Sequence, residues 1–416
     1  MPRQRLKTLA VNAGVALISL CVALLAAEGV LRVAGRKPLS PGEPQLITQY
    51  DSLLGWSKKP TAKATFMTGE YTVTETTNSH GLRGPETTYE KPRDTYRILM
   101  LGDSFAEGYA VDLDSTSARV QERLLNALGD RHYEVINGGT RGYSTDQELL
   151  FFDTEGRRYN PDLTILLFYV NDVWYNGQPR YWRGSKPLFT RVNGRLALTN
   201  VPVPKPDPNA FAFAVRGATG IAGWVRRTDA WLGVHARLYG LARDAATQSP
   251  ALSGLAIRFG LAEAPNEWRA WKKSADPELR NAWSLTEAIL GRLQQEVVGS
   301  GSRLMIFYVP SPPAIYPDDW GVTKRKYAMG DSAWSPEQDA AVLNTICQRA
   351  GIACVIPVAR FRAEAERLQR AGKRLYFRRD AHWNSDGHRL AGGILADYVR
   401  ALLAPTAAVS PHVGEL

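Results

Sequence analysis

Tyr96-Arg97-Ile98-Leu99-Met100-Leu101-Gly102-Asp103-Ser104-Phe105-Ala106-Glu107-Gly108 is the stretch around which the chain is organised. The apolar run Ile98 to Leu101, entered from Arg97, reads as a short strand buried on both faces, as at the centre of a parallel sheet. It stops at Gly102, which sets Asp103 and Ser104 at the C-terminal end of the strand. In open α/β sheets that edge collects ligands and chemistry. A serine there is either a helix cap or a nucleophile.

Downstream, strand and helix signals alternate. Val120, Leu124, Leu125 and Leu128 form a helical stripe within Ser115 to Leu128, and Tyr133 to Asn137 is a second strand. Gly138-Gly139-Thr140-Arg141-Gly142 is a loop that needs glycine, and Ser144-Thr145-Asp146-Gln147 is a capping box opening the next helix. Leu163 to Tyr169 is a third strand, ending in Val170-Asn171-Asp172. After a long interruption, Ser284-x-x-Glu287 is expected to cap a helix, and Arg303 to Val309 is a fourth strand. Ser335-Pro336-Glu337-Gln338 is expected to open a further helix, Ile352 to Ile356 is a fifth strand, and a last helix spans about Ser385 to Leu403. This order predicts an α/β fold with a parallel sheet of about five strands and right-handed crossovers. Within the 176–283 insertion, Val192-Asn193-Gly194-Arg195 reads as a hairpin turn, followed by helical sequence with Trp224, Trp231, Trp268 and Trp271. The tryptophans suit packing, or stacking on sugars.

The chain has 416 residues, 44% apolar and 22% charged, and eleven tryptophans, a globular composition. Its net charge of +10 favours anionic partners or a generally basic surface. No basic block with interleaved aromatics accompanies it, so no nucleic-acid partner is expected. Arg3, Arg5 and Lys7 precede an apolar run from Leu9 to Ala27, which as a helix spans about 28 Å. We expect residues 1–37 to be an uncleaved membrane anchor with the body on the extracytoplasmic side, periplasmic or at the cell surface. A cleaved signal peptide is the other reading. A β-rich segment (38–95) follows a proline-rich exit at Pro38, Pro41 and Pro44, and residues 404–416 read as a loose tail. Cys347 and Cys354 suit either a disulfide or two buried thiols.

The ends of the sheet strands converge on one edge. They bring Ser104, the Gly138–Gly142 loop and Asn171 there, and Asp380-Ala381-His382 precedes the last helix. A serine hydroxyl needs a base, histidine has the pKa for it, and a carboxylate orients the histidine. In an extended segment Asp380 and His382 would point to the same side. A developing oxyanion needs fixed N–H donors.

Four blocks, Gly102-Asp103-Ser104-Phe105-Ala106-Glu107-Gly108, Asn137-Gly138-Gly139-Thr140-Arg141-Gly142, Val170-Asn171-Asp172 and Asp380-Ala381-His382, together resemble the SGNH (GDSL) hydrolase superfamily. The resemblance covers about residues 96–175 and 285–403, within a 96–403 domain. It implies a three-layer α/β/α flavodoxin-like fold, with Ser104 as nucleophile and Asp380 and His382 as acid and base. Ser104, Gly142 and Asn171 would form the oxyanion hole, with no metal or organic cofactor. It departs from the family where Val170 stands in place of a glycine, and where one residue rather than two separates acid from base. That spacing resembles membrane-anchored and polysaccharide-acetylating relatives, and leaves Asp380 to contact the imidazole or to cap the last helix.

The expected substrate is an acyl ester, acetyl above all, of a cell-envelope glycan or glycolipid. A lipid esterase or thioesterase, and a non-catalytic glycan-binding assembly protein, are the alternatives. His388, the second Gly330-Asp331-Ser332 and Gly217-x-x-Gly220-x-x-Gly223 are read as structural, and no G-x-S-x-G surrounds Ser104.

Overall fold

The computed structural model describes residues 2–34, 47–68, 70–181, 184–205, 224, 228, 231–232, 235–258 and 264–404. The Gly217–Gly223 repeat, the prolines after the apolar helix and the tail from 405 lie outside them. Strands run in chain order β1 (Thr48–Asp51), β2 (Gly55–Lys58), β3 (Lys63–Met67), β4 (Thr72–Thr76), β5 (Thr95–Gly102), β6 (His132–Asn137) and β7 (Leu163–Phe168). They continue with β8 (Arg180–Tyr181), β9 (Gly184–Ser185), β10 (Leu188–Val192), β11 (Arg195–Thr199), β12 (Arg303–Tyr308) and β13 (Ala353–Val355). Contacts divide the chain into two compact units, residues 1–44 with 207–262 and residues 45–206 with 263–416.

The larger unit is built on a parallel five-stranded sheet of order β13-β12-β7-β5-β6. Every residue of β7 is buried, as are Arg97 to Gly102 of β5, which is why Ile98–Leu101 and Ile165–Phe168 read as unbroken apolar runs. From β5 the chain crosses to β6 on one side and then back to β7 on the other, so the strand order reverses at β5. Right-handed crossovers then place the helices on opposite faces. Ser117–Asn126 packs with Ser385–Leu403, and Thr145–Thr154 packs with Pro277–Gly299. The nucleophile block therefore begins at the switch point of the sheet.

Two helix starts differ from expectation. Asp276, not Ser284, caps the helix Pro277–Gly299, accepting the Leu279 N–H at 2.9 Å, because Pro277 behind it supplies the N1 position. Ser335 forms a turn, with its carbonyl accepting the Gln338 N–H at 3.1 Å, and the helix proper opens at Gln338. The β-rich segment is two antiparallel hairpins, β1–β2 and β3–β4, and β10–β11 closes through left-handed Asn193 and Gly194. Trp271 is fully buried and stacks on Trp268 at 5.0 Å, whereas Trp224 and Trp231 are exposed. Cys347 and Cys354 are free thiols.

In the smaller unit, the helix Pro2–Val33 contains a segment, Val11–Val33, long and apolar enough to cross a membrane. Near its end Glu28 accepts the Leu238 N–H at 2.8 Å and Arg32 donates to the His235 carbonyl at 2.8 Å. The start of the helix Arg237–Gln248 is thereby tied to the end of the apolar helix.

Gly139 shows how tightly the loop after β6 is packed. A Cβ there would stand 2.6 Å from Ala106 Cβ and collide with the Glu107 backbone nitrogen. Gly139→Ala is expected to lose ~1–3 kcal/mol in urea denaturation. Gly291→Ala, in a helix with open space around it, is expected to gain ~0.5–1 kcal/mol.

Candidate active site

β5 ends at Gly102, and a four-residue helix, Ser104–Glu107, begins at once. Asp103 is its cap: the carboxylate accepts the Phe105 N–H at 2.9 Å. Capping is therefore taken, and Ser104 is left as the first helical residue. Its Oγ lies 2.8 Å from His382 Nε2, while His382 Nδ1 meets Asp380 Oδ1 in a short contact. Serine, histidine and aspartate are all half-buried, open enough for a substrate to reach.

Asp380 reaches the imidazole through a turn and not through an extended segment. Tyr376 and Trp383 form an antiparallel bridge, Phe377 N–H donates to His382 O at 2.9 Å, and Ala381 lies at φ 64°. The left-handed residue folds Asp380 back over the ring, which an extended chain of the same spacing would not do. The last helix is capped instead by Asn384, whose Oδ1 accepts from Asp386 N at 2.9 Å and Gly387 N at 3.2 Å.

Asp380 has further partners. Tyr71 OH donates to Oδ2 at 2.9 Å, and Tyr109 OH stands 3.2 and 3.1 Å from the two oxygens. Burial works against its ionisation. The His382 hydrogen bond and charge outweigh that, with help from the two tyrosines, and the carboxyl sits below its ordinary range.

Asn171 lies in the first turn of the short helix Val170–Tyr175, not in a strand end. Helical geometry asks no glycine at position 170, so Val170 is accommodated. Asn171 Nδ2 donates to Asp103 Oδ2 at 3.1 Å, which ties it to the residue before the serine, and approaches Tyr181 OH at 3.4 Å. Gly142 lies at φ 78° in the loop after β6. No hydrogen bond among the described residues joins it to Ser104, His382 or Asp380, and the N–H groups of Ser104 and Gly142 donate to no acceptor there.

The Ser104 and glycine loops are joined by a buried ionic cluster. Arg141 Nε lies 3.1 Å from Glu107 Oε1, and its Nη2 lies 3.0 Å from Glu107 Oε1 and also contacts Glu75 of β4. Lys58 of β2 reaches Gly139 O, and Arg83 donates to the carbonyls of Glu107 (3.0 Å), Gly108 and Val111 (2.6 Å). Tyr109 lies over the Arg141 guanidinium at 4.5 Å. Burial and the neighbouring Glu107 push the Glu75 carboxyl up to about 8. At Glu107 burial is outweighed by Arg141 and Lys58, which keep that carboxyl ionised.

Under Asn171 lie Asp146, Glu148 and Asp172, all buried, with Lys186 donating to Asp146 and, at 2.9 Å, to Tyr175 O. Burial and neighbouring acids push Glu148 and Asp172 well above the ordinary carboxyl range. His388 is structural: burial depresses its pKa to about 3, and Nδ1 accepts the Ser117 N–H at 3.2 Å. Asp331 of the second Gly-Asp-Ser binds Lys324 and Trp320, at 2.6 and 2.9 Å.

Sequence reasoning missed Glu70, Tyr71, Tyr109 and the Lys58–Glu75–Arg83–Arg141 set. Tyr109, just after the nucleophile block, carried a positional hint. The others sit among ordinary hairpin and loop residues, and only the fold brings them to the serine.

Residues 100–256 match the GDSL-like Lipase/Acylhydrolase family, and residues 267–413 match the SGNH hydrolase-like domain of acetyltransferase AlgX. Among solved structures, a mutant of an acetyl-xylooligosaccharide esterase from Geobacillus Stearmophilus is 13% identical, with a TM-score of 0.37 over 76% of this chain and 97% of that one. A lipase/acylhydrolase from Enterococcus faecalis is 11% identical, with a TM-score of 0.34 over 75% and 99%. No curated protein matches the chain.

Because the folded state keeps on Glu75 a proton that the unfolded chain releases near pH 4.5, this group makes stability fall as pH rises from about 4.5 to about 8. Above that the contribution is flat. Urea unfolding at pH 5 and pH 8 should show the loss in the wild type and a smaller one in Glu75→Gln.

Proposed function

We propose, for a chain that belongs to the SGNH (GDSL) hydrolase superfamily, that it is a serine esterase or O-acyltransferase acting on acetyl esters of a cell-envelope carbohydrate. The observation that carries this reading is the 2.8 Å contact of Ser104 Oγ with His382 Nε2, with Asp380 on the other ring nitrogen. Ser104 Oγ attacks the ester carbonyl carbon while His382 Nε2 takes its proton. The tetrahedral oxyanion is met by the Ser104 and Gly142 N–H groups and the Asn171 amide. When the carbon–oxygen bond breaks, His382 returns the proton to the leaving alcohol, and an acyl-serine remains. Water or a sugar hydroxyl then attacks the acyl carbon, its proton passing to His382 and on to Ser104 Oγ.

The acetyl group is supported by the match of residues 267–413 to an acetyltransferase domain. The apolar helix Val11–Val33 is long enough to anchor the chain, and Arg3, Arg5 and Lys7 before it support a body on the extracytoplasmic side, beside an envelope glycan or glycolipid. The same helix favours a second reading, an esterase or thioesterase of membrane lipids.

A fluorophosphonate probe should label the full-length protein in detergent, and Ser104→Ala and His382→Ala should each abolish labelling. A folded wild type that takes no label would reject the serine-esterase reading. Hydrolysis of acetylated sugars in preference to long-chain acyl esters would favour the carbohydrate over the lipid.

A further inference from the structure

The geometry points to the tip of the β3–β4 hairpin as a positioning device for the histidine-bearing loop. Glu70 holds the backbone of residues 378–380 and Tyr71 holds the Asp380 carboxylate, so that Asp380 meets His382 across a left-handed Ala381. This rests on the Ser104–His382–Asp380 reading given above.

The loop has a conformational problem. Ala381 at φ 64° occupies a region that a residue with a Cβ seldom takes, and such a residue persists where its surroundings over-determine it. If Ala381 relaxed to an extended conformation, the side chains of residues 380 and 382 would still share a side. Their Cα atoms would then stand about 7 Å apart along the chain, and the carboxylate would drift from Nδ1.

What prevents this comes from far upstream. The Glu70 carboxylate accepts three consecutive backbone N–H groups, from Arg378 at 2.8 Å, Arg379 at 2.9 Å and Asp380 at 3.0 Å. Successive N–H groups turned to one side make an anion-binding concavity, and here the anion is a side chain of the same protein. The next residue, Tyr71, donates to Asp380 Oδ2 at 2.9 Å, which leaves Oδ1 for the imidazole. Its ring packs on Phe377, the first residue of the turn, at 4.9 Å.

Tyr109 completes the enclosure. Its hydroxyl faces both carboxylate oxygens, and its ring stands edge-on to Tyr71 at 6.2 Å and to His382 at 5.0 Å. Among the described residues, the ionisable groups against Asp380 are His382 from its own loop, Glu70 (at the backbone N–H) and Tyr71 from the hairpin, and Tyr109 from the serine segment. Arg141 lies behind the Tyr109 ring. Glu70 and Tyr71 lie upstream of residue 100, where the family match begins. They are supplied by the β-rich segment and not by the matched blocks.

The test uses the full-length protein in detergent, with 4-nitrophenyl acetate as reporter and Tyr71→Phe and Glu70→Gln as variants. Both should keep the wild-type KM and lose about ten-fold in kcat, the scale of one hydrogen bond to a charged group. In Tyr71→Phe the acid limb of the kcat profile should move to higher pH, because a carboxylate with one donor fewer holds the protonated imidazole of His382 more strongly. Unchanged kcat and an unchanged profile in a wild-type background that hydrolyses the ester would overturn the inference. Hydrogen–deuterium exchange of peptide 377–384 decides independently of activity. Glu70→Gln should speed exchange there while peptide 163–168 keeps its protection, and unchanged protection at 377–384 would also overturn it. A folded wild type that neither hydrolyses the ester nor takes the fluorophosphonate would instead reject the catalytic reading, leaving the exchange result to judge the clamp.

Discussion

Arg141 and Glu107 form the buried pair on which the geometry around the serine depends. Glu107 ends the short helix that carries Ser104, and Arg141 precedes Gly142. Their contact welds the Ser104 loop to the glycine loop. Breaking such a pair leaves an uncompensated charge in a dry interior, which typically costs ~3–5 kcal/mol. Glu75, Lys58 and Arg83 extend the cluster into the β-rich segment, so the two hairpins are bound to the site by buried hydrogen bonds as well as by packing. The segment that looks like a connector after the apolar helix packs against the candidate site.

The parallel sheet was legible because its central strands are buried on both faces. Ile98–Leu101 and Leu163–Phe168 carry no alternation to confuse with an exposed hairpin. The meeting of Ser104 with His382 and Asp380 was legible because a strand end and short motifs mark these residues. Helix starts were less so. Ser284 and Ser335 carried good capping signals, but burial of Leu279 and Trp283 drew the first helix back to Asp276, and the second opens only at Gln338, after a turn at Ser335. Capping preference is worth about 1 kcal/mol and yields to packing.

The support of the site was illegible for a different reason. Glu70 and Tyr71 act through contacts some three hundred residues distant along the chain. No periodicity marks a carboxylate that will collect three N–H groups from another loop. The single-residue spacing between Asp380 and His382 held the clue, since it requires a turn that something else must stabilise. Ala381 at positive φ is where that requirement is met.

Ser104 is the residue proposed to carry the acyl group. Rapid-quench mass spectrometry of the full-length protein mixed with an acetyl ester, followed by peptide mapping, tests this directly. An acetyl adduct on the Ser104 peptide, forming and decaying at rates compatible with turnover and absent from Ser104→Ala, is the predicted result. Turnover with Ser104 unmodified throughout, or retained in Ser104→Ala, would contradict it.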